Sequence, residues 1–165
     1  MRRRCGGNAV LETALWVPVL VLLMVGMLQF GKITYLYYSL KKAVYTTARY
    51  IAVQQNVNFC DPADPTIQNA INLAVNDPTT GQPLISNFTA DMISVTTQCS
   101  DPNNAGILAA CDTSGCDGAL GARRPDYVVV SIPNGFPVTV RIPFLTPENI
   151  TLRPAVTVPF GGTSL

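Results

Sequence analysis

One uninterrupted apolar segment near the N-terminus constrains what this chain can fold into. It runs from Ala14 to Leu28 and continues through Phe30, and a single acidic residue, Glu12, lies just ahead of it. From Thr13 to Phe30 the segment is just long enough to cross a hydrocarbon core of about 30 Å at about 1.5 Å per residue. The segment therefore predicts a transmembrane helix.

The residues that flank this segment predict its orientation and its retention. Three arginines at positions 2–4 precede it, and such clusters stay on the cytoplasmic side, which places the rest of the chain outside. A cleaved secretory signal needs a small-x-small site after the apolar residues. The sequence Gln29-Phe-Gly-Lys-Ile-Thr-Tyr35 contains none, and Cys5 precedes the segment where a lipoprotein cysteine would follow it. We therefore expect the segment to stay attached.

The helical pattern continues beyond the membrane. No proline or glycine occurs between Lys32 and Val53. We therefore expect one continuous helix that begins near Asn8, includes the apolar segment and ends near 53–56, with a length of roughly 65–70 Å. Pro18 is expected to kink or loosen it. Apolar residues recur at steps of three and four, the period of an amphipathic helix: Ile33, Leu36, Tyr37, Leu40, Val44, Ala48 and Ile51.

The remainder of the chain predicts a small head with a short helix and several strands. Asp64 is a suitable N-cap and Pro65 a suitable first-turn residue for a helix that extends to Val75. The span 100–124 is rich in Gly, Asn and Asp and predicts a long loop. Asn134-Gly135 predicts a tight turn between two strands, and Pro154 restricts the last strand to an edge or a bulge. The expected strands are Met92–Cys99, Tyr127–Ile132, Val138–Phe144 and Ile150–Val158.

These elements predict an α+β fold, in which a long N-terminal transmembrane and stalk helix packs against a small antiparallel β-sheet head. Residues 1–53 carry seven Lys or Arg and one Glu, whereas residues 54–165 carry four Arg and nine acids. An acidic head argues against nucleic-acid binding, which requires a basic face. The chain has no histidine, and no nucleophile–base pair or nucleotide motif is visible. We therefore expect neither an enzyme nor a cofactor.

Four cysteines in the head predict disulfides. An even number in a loop-rich domain beyond a membrane segment is typical of an oxidising compartment. A zinc site needs tightly spaced pairs, and Cys111-x4-Cys116 is the only close pair, so no metal is expected. Four cysteines allow three pairings. The favoured one joins Cys60 to Cys99 and Cys111 to Cys116.

Glu12 has two interpretations. A carboxylate near the start of a membrane helix costs free energy, less at the interface than at mid-bilayer. It either lies at headgroup depth, where the positive end of the helix dipole favours it, or it serves a function. The residues alone leave these two interpretations balanced.

Around Glu12 the chain resembles a known family. Three stretches carry the resemblance: Gly7-Asn-Ala-Val-Leu-Glu-Thr-Ala-Leu-Trp-Val-Pro-Val-Leu20, then Gly26-Met-Leu-Gln-Phe-Gly31, then a helix ending Ala48-Arg-Tyr-Ile-Ala-Val53. They are similar to the TadE-like minor pilins (pseudopilins) of tight-adherence (Tad) type IV pili. The resemblance covers residues 2–53. Beyond them only the architecture is similar, a small domain that follows the helix. One departure is Thr13, where an aromatic residue often follows the Glu.

The resemblance implies a substrate of processing and assembly. A prepilin peptidase would cut after Gly7 and leave Asn8 as the new N-terminus, and Glu12 would pair with the α-ammonium of an adjacent subunit. The Pro18-containing helix would pack with those of other pilin subunits, and platform membrane proteins would supply the machinery. The protein would start in the bacterial inner membrane with a periplasmic head and then enter an extracellular pilus. The implied regions are a leader (1–7), an assembly helix (8–31), its amphipathic continuation (32–56) and the head (57–165).

A second function stays open. The chain would then be an uncleaved single-pass membrane protein, and its extracytoplasmic head would bind a ligand or partner. The mature N-terminus distinguishes the two, because this alternative retains the leader.

Overall fold

The computed structural model describes residues 6–54, 57–101, 106–111, 124–140 and 148–161. Its elements confirm the α+β class: a long apolar helix comes first, and a small antiparallel sheet region follows. The elements are α1 (Gly6–Ala52), α2 (Pro65–Val75), a 3₁₀ turn (Ala90–Met92), β1 (Ser94–Ser100), β2 (Leu108–Ala110), β3 (Tyr127–Ser131), β4 (Phe136–Val140), β5 (Glu148–Leu152) and β6 (Ala155–Pro159).

Two compact units make up the chain. The first contains Met1–Leu36 and Pro137–Ile150, and the second contains Tyr37–Phe136 and Thr151–Leu165. The helix α1 contributes to both, because it is continuous across their boundary and through Pro18.

The distal half of α1 is buried on one face. The spacing of apolar residues by three and four positions predicts most of this face. Leu40, Val44, Ala48 and Ile51 are inaccessible to solvent, whereas Tyr37, predicted on the same face, is 38% exposed. The helix ends at Ala52, just before the predicted end near 53–56. There the N–H of Gly161 donates to the carbonyl of Ala52 at 3.1 Å, which satisfies one of the four carbonyls that every helix leaves without an internal partner.

The short helix α2 begins where its capping residues predict. The carboxylate of Asp64 accepts hydrogen bonds from the backbone N–H of Thr66 at 2.8 Å and of Ile67 at 3.3 Å, and Pro65 occupies the first turn. The second carboxylate oxygen of Asp64 accepts a hydrogen bond from the N–H of Asn58 at 3.2 Å. One buried side chain thus fixes both the start of α2 and the segment before it. The apolar face of α2 is buried: Ile67, Ala70, Ile71 and Ala74.

Four strands form the main sheet, in the order β2-β1-β3-β6, and all their pairings are antiparallel. The registers align Val130 of β3 with Val95 of β1 on one side and with Val156 of β6 on the other. Val128 and Val130 are fully buried, as expected for the side chains of a central strand that face the core.

The C-terminal strands differ from the prediction. A single strand over Ile150–Val158 is wrong, because the chain breaks at Arg153-Pro154 into β5 and β6, which belong to different sheets. Proline lacks the N–H that a continuous ladder needs. The strand β5 pairs with β4 in a separate two-stranded sheet. Of the strand predicted over Val138–Phe144, residues 141–144 lie outside the described residues.

The turn at Asn134-Gly135 is also different. It forms, with the N–H of Gly135 donating to the carbonyl of Ile132 at 3.1 Å, but it does not join paired strands. Instead the chain leaves the four-stranded sheet after β3 and enters the two-stranded sheet at β4. Pro133 occupies the second turn position, which its fixed φ favours.

Candidate functional site

The first half of α1 is the most unusual surface of the described chain. Its apolar side chains are exposed in series, from Val10 through Phe30. By length and composition the helix is able to cross a membrane, and none of its most apolar 18-residue window is buried. Burying such side chains is worth roughly 1.5–3 kcal/mol each. The exposed surface therefore fits a helix that is covered by a bilayer or by other apolar helices.

Two of the predicted processing residues lie in the first turn of this helix. Gly7 and Asn8 follow the helix start at Gly6, where the first backbone N–H groups have no partner within the helix. Glu12 lies at the next turn, with an exposed side chain. Because Asn8 and Glu12 are four residues apart, they lie on the same face of the helix.

Pro18 marks a shallow apolar groove along the same helix. The groove has a volume of about 530 Å³ and is lined by Val10, Thr13, Ala14, Val17 and Pro18. Proline has no N–H to donate to the carbonyl four residues earlier, that of Ala14. The small side chains at 13 and 14 also allow another helix to approach closely. Apart from the hydroxyl of Thr13, the side chains that line the groove are apolar.

The pairing of the described head cysteines differs from the prediction. A disulfide joins Cys99 to Cys111, with their Cα atoms 4.9 Å apart, so the pairs Cys60–Cys99 and Cys111–Cys116 are wrong. The reason is the strand β2, which the sequence analysis assigned to a loop. It pairs with β1 so that Ala109 faces Cys99, and this brings the adjacent Cys111 alongside. Cys60 is disulfide-bonded too, whereas Cys116 lies outside the described residues.

The acidic side chains of the head hold turns together. Asp77 accepts a hydrogen bond from the backbone N–H of Thr79 at 2.8 Å, and this bond lowers the pKa of the Asp77 carboxyl. Within the described part of the chain, no three His, Cys, Asp or Glu side chains come together as metal ligands.

One cleft in the head was not predicted from the sequence. This head cleft has a volume of about 560 Å³. Its lining residues come from the segment before α2, from α2 itself, and from the 3₁₀ turn and the start of β1. Because these segments are separate in sequence, no local motif predicts the cleft. Most of the lining is formed by apolar side chains, those of Phe59, Ile67, Ile71, Ile93 and Val95. The charged group in the lining is the carboxylate of Asp91.

These features define a class of protein: one exposed N-terminal helix that is able to span a membrane, followed by a small disulfide-bonded α+β head. Residues 7–49 match the model of the family described as TadE-like protein, which confirms the resemblance seen at Gly7, Glu12 and the apolar segment. The N-terminal helix is therefore similar to that of TadE-like proteins. No curated protein and no solved structure matches the chain.

Proposed function

We propose that the chain is a minor pilin, or pseudopilin, subunit of a Tad-type pilus. The TadE-like family is associated with the Tad pilus system, and its model matches residues 7–49. The observation that carries the proposal is that this match coincides with the helix whose apolar surface is exposed. In this role the chain is a structural component without catalytic activity, and it helps to initiate or cap a pilus used in adhesion.

The exposed helix suits a subunit that lives in two environments. Before assembly, its apolar side chains are covered by lipid. After assembly, the same side chains are covered by the helices of other subunits, so the transfer conserves apolar burial. Packing contacts at small residues, such as those of the Pro18 groove, then favour association. Platform membrane proteins of the pilus machinery would drive this transfer.

Processing would occur at the Gly7–Asn8 bond, on the cytoplasmic side of the inner membrane. This bond lies in the first turn of α1, and helix ends fray readily. A prepilin peptidase is therefore able to reach the backbone without unfolding the membrane segment. Removal of residues 1–7 also removes three arginines and leaves an α-ammonium on Asn8.

Intact mass of the protein from membranes tests the processing step. We expect the mass of a chain that begins at Asn8 when a prepilin peptidase is present and the mass of the unprocessed chain when it is absent. Retention of the leader in cells with an active peptidase would favour the uncleaved single-pass alternative. That alternative has its own supporting observation, the head cleft, which lies within the size range of ligand pockets.

Glu12 would pair with the α-ammonium on Asn8 of an adjacent subunit. Leaving a buried charge unpaired costs about 3–5 kcal/mol, which corresponds to roughly two to three decades in a packing equilibrium. We predict that Glu12→Val is inserted and cleaved but enters fibres poorly. The measurement is the amount of mature protein in sheared fibres relative to membranes.

Glu12→Asp is the matched control, since it keeps a carboxylate at the same position. It should enter fibres better than Glu12→Val. Normal incorporation of Glu12→Val would return Glu12 to the interfacial interpretation, in which the helix dipole alone accounts for it.

A further inference from the structure

The distal half of α1 presents a second, unpartnered face opposite its buried one. We name it the aromatic–basic face and define it as Tyr38, Lys42, Tyr45 and Arg49. These residues are spaced by four, three and four positions, so they share one side of the helix. All four are exposed, Tyr38 by 66% and Tyr45 by 45%.

Two of these side chains are already joined. A guanidinium nitrogen of Arg49 donates to the hydroxyl oxygen of Tyr45 at 3.1 Å. This bond holds a flat aromatic ring and a cation side by side on the helix surface. Tyrosine and arginine are the residue types that most often anchor protein interfaces, because each combines a large apolar area with a directional polar group.

The head cleft has the complementary composition. Its floor is made of buried isoleucines, Ile67, Ile71 and Ile93, and its exposed charged group is the carboxylate of Asp91. A second exposed acid, Asp61, adjoins the lining residue Pro62. An aromatic ring fits the floor, and a cation beside the ring fits the acidic rim.

We infer that the Tyr45–Arg49 pair of one copy of this chain docks in the head cleft of a second copy. Two surfaces of the same chain complement each other in charge and in apolar character, a basic aromatic one on α1 and an acidic apolar one on the head. It rests on the proposed function, because it identifies the subunit's neighbour as another copy. Both surfaces belong to the compact unit that begins at Tyr37.

The contact is head-to-tail, and this determines which type of assembly the copies form. Two different surfaces meet, so in a docked pair one copy still offers a free cleft and the other still offers a free face. Such heterologous contacts close into rings or continue as open helical assemblies. A run of copies therefore follows from this single contact, whereas an isologous contact would stop at a dimer.

Photo-crosslinking in the full-length chain tests the contact. Tyr45 is replaced by the photoreactive residue p-benzoylphenylalanine, and cells that carry the pilus system are irradiated. We expect crosslinked dimers whose linked peptide lies between Phe59 and Val95. Arg49→Glu and Asp91→Lys should each reduce the dimer yield by about tenfold, since like charges then face each other. The two changes together should restore it.

Lys41→Glu is the matched control. Lys41 is exposed on the same helix but off the aromatic–basic face, so this variant should crosslink normally, and it should not rescue Asp91→Lys. Formation of the Cys99–Cys111 disulfide, read by alkylation, shows that each variant has folded.

Three outcomes overturn the inference: crosslinks to a different protein, crosslinks to another part of the second copy, and failure of the charge-swapped pair to restore the yield. Dimer yield is measured in membranes before fibres are sheared. Normal fibre incorporation without these dimers therefore rejects only the docking contact. Dimers without fibre incorporation reject only the pilus role.

Discussion

Gly135 satisfies two constraints that no other residue type meets together. Its φ is +75°, in the left-handed region that side chains disfavour. A Cβ at this position would also lie 3.0 Å from Thr151 Cβ and 3.0 Å from Arg153 Cγ. The arginine side chain is able to move, but Thr151 Cβ is attached to the backbone of β5. The glycine therefore sets how closely the turn after β3 approaches the chain that links β5 to β6.

Gly135→Ala should destabilise the protein by roughly 2–3 kcal/mol, of which the backbone strain is roughly 1–2 and the contact supplies the rest. Urea unfolding of the full-length protein in detergent measures the loss. Gly81→Ala is the control, since Gly81 has φ +67° and nothing within 4 Å of an added Cβ. It should show the strain alone, and equal losses in the two variants would reject the role of the contact.

Single residues predicted some of the turns and strand ends, but not how the strands pair. Asn134-Gly135 predicted a turn, and a turn is present. The same dipeptide predicted a hairpin, which is wrong, because turn chemistry fixes the local backbone but not which strands pair afterwards. Pro154 predicted an edge strand or a bulge, and β6 is indeed at the edge of the four-stranded sheet. The change of sheet at Arg153-Pro154 was not predicted, because it depends on contacts distant in sequence.

At the scale of elements, the helices were the predictable part. The start of α2 follows from Asp64 and Pro65, and the buried face of α1 follows from the spacing of its apolar residues. Both signals are local, since capping and amphipathic periodicity act within a few turns. The strand β2 was not predictable in this way. It is three residues long, its side chains are exposed, and its pairing with β1 alone makes it a strand.

The cap of α2 makes a specific prediction. Asp64→Ala removes the acceptor for the N–H groups of Thr66, Ile67 and Asn58, and this should cost about 1–2 kcal/mol. The readout is the free energy of unfolding of the full-length protein in detergent. Asp64→Asn keeps an acceptor oxygen and should retain most of the stability. An Asp64→Ala protein as stable as the unmodified one would show that water replaces the cap.

At the scale of the whole molecule, the disulfides test how the head is closed. Since Cys99 and Cys111 pair with each other and Cys60 is bonded, we predict that Cys60 pairs with Cys116, the remaining cysteine of the head. A peptide map under non-reducing conditions should contain the 60–116 and 99–111 links. Recovery of Cys116 as a free thiol from unreduced protein would contradict this prediction.

The two proposed sites differ in how far the sequence predicts them. The assembly helix is contiguous, so its apolar segment, Glu12 and Gly7 are readable as a string. The head cleft combines side chains from Phe59 to Val95, and it exists only once α2 and β1 have packed. Its outline depends on packing geometry, which no periodicity of the chain encodes.

The bonds at Phe160 and Gly161 have a consequence for the order in which the protein is made. The N–H of Phe160 donates to the carbonyl of Asp126 at 2.9 Å, and that of Gly161 donates to the end of α1. During synthesis α1 emerges long before β6, so until β6 has been made one edge of β3 and the last turn of α1 stay open. Folding of the head is therefore completed only after its last residues are synthesised. A stop codon before Ala155 would leave that state permanent.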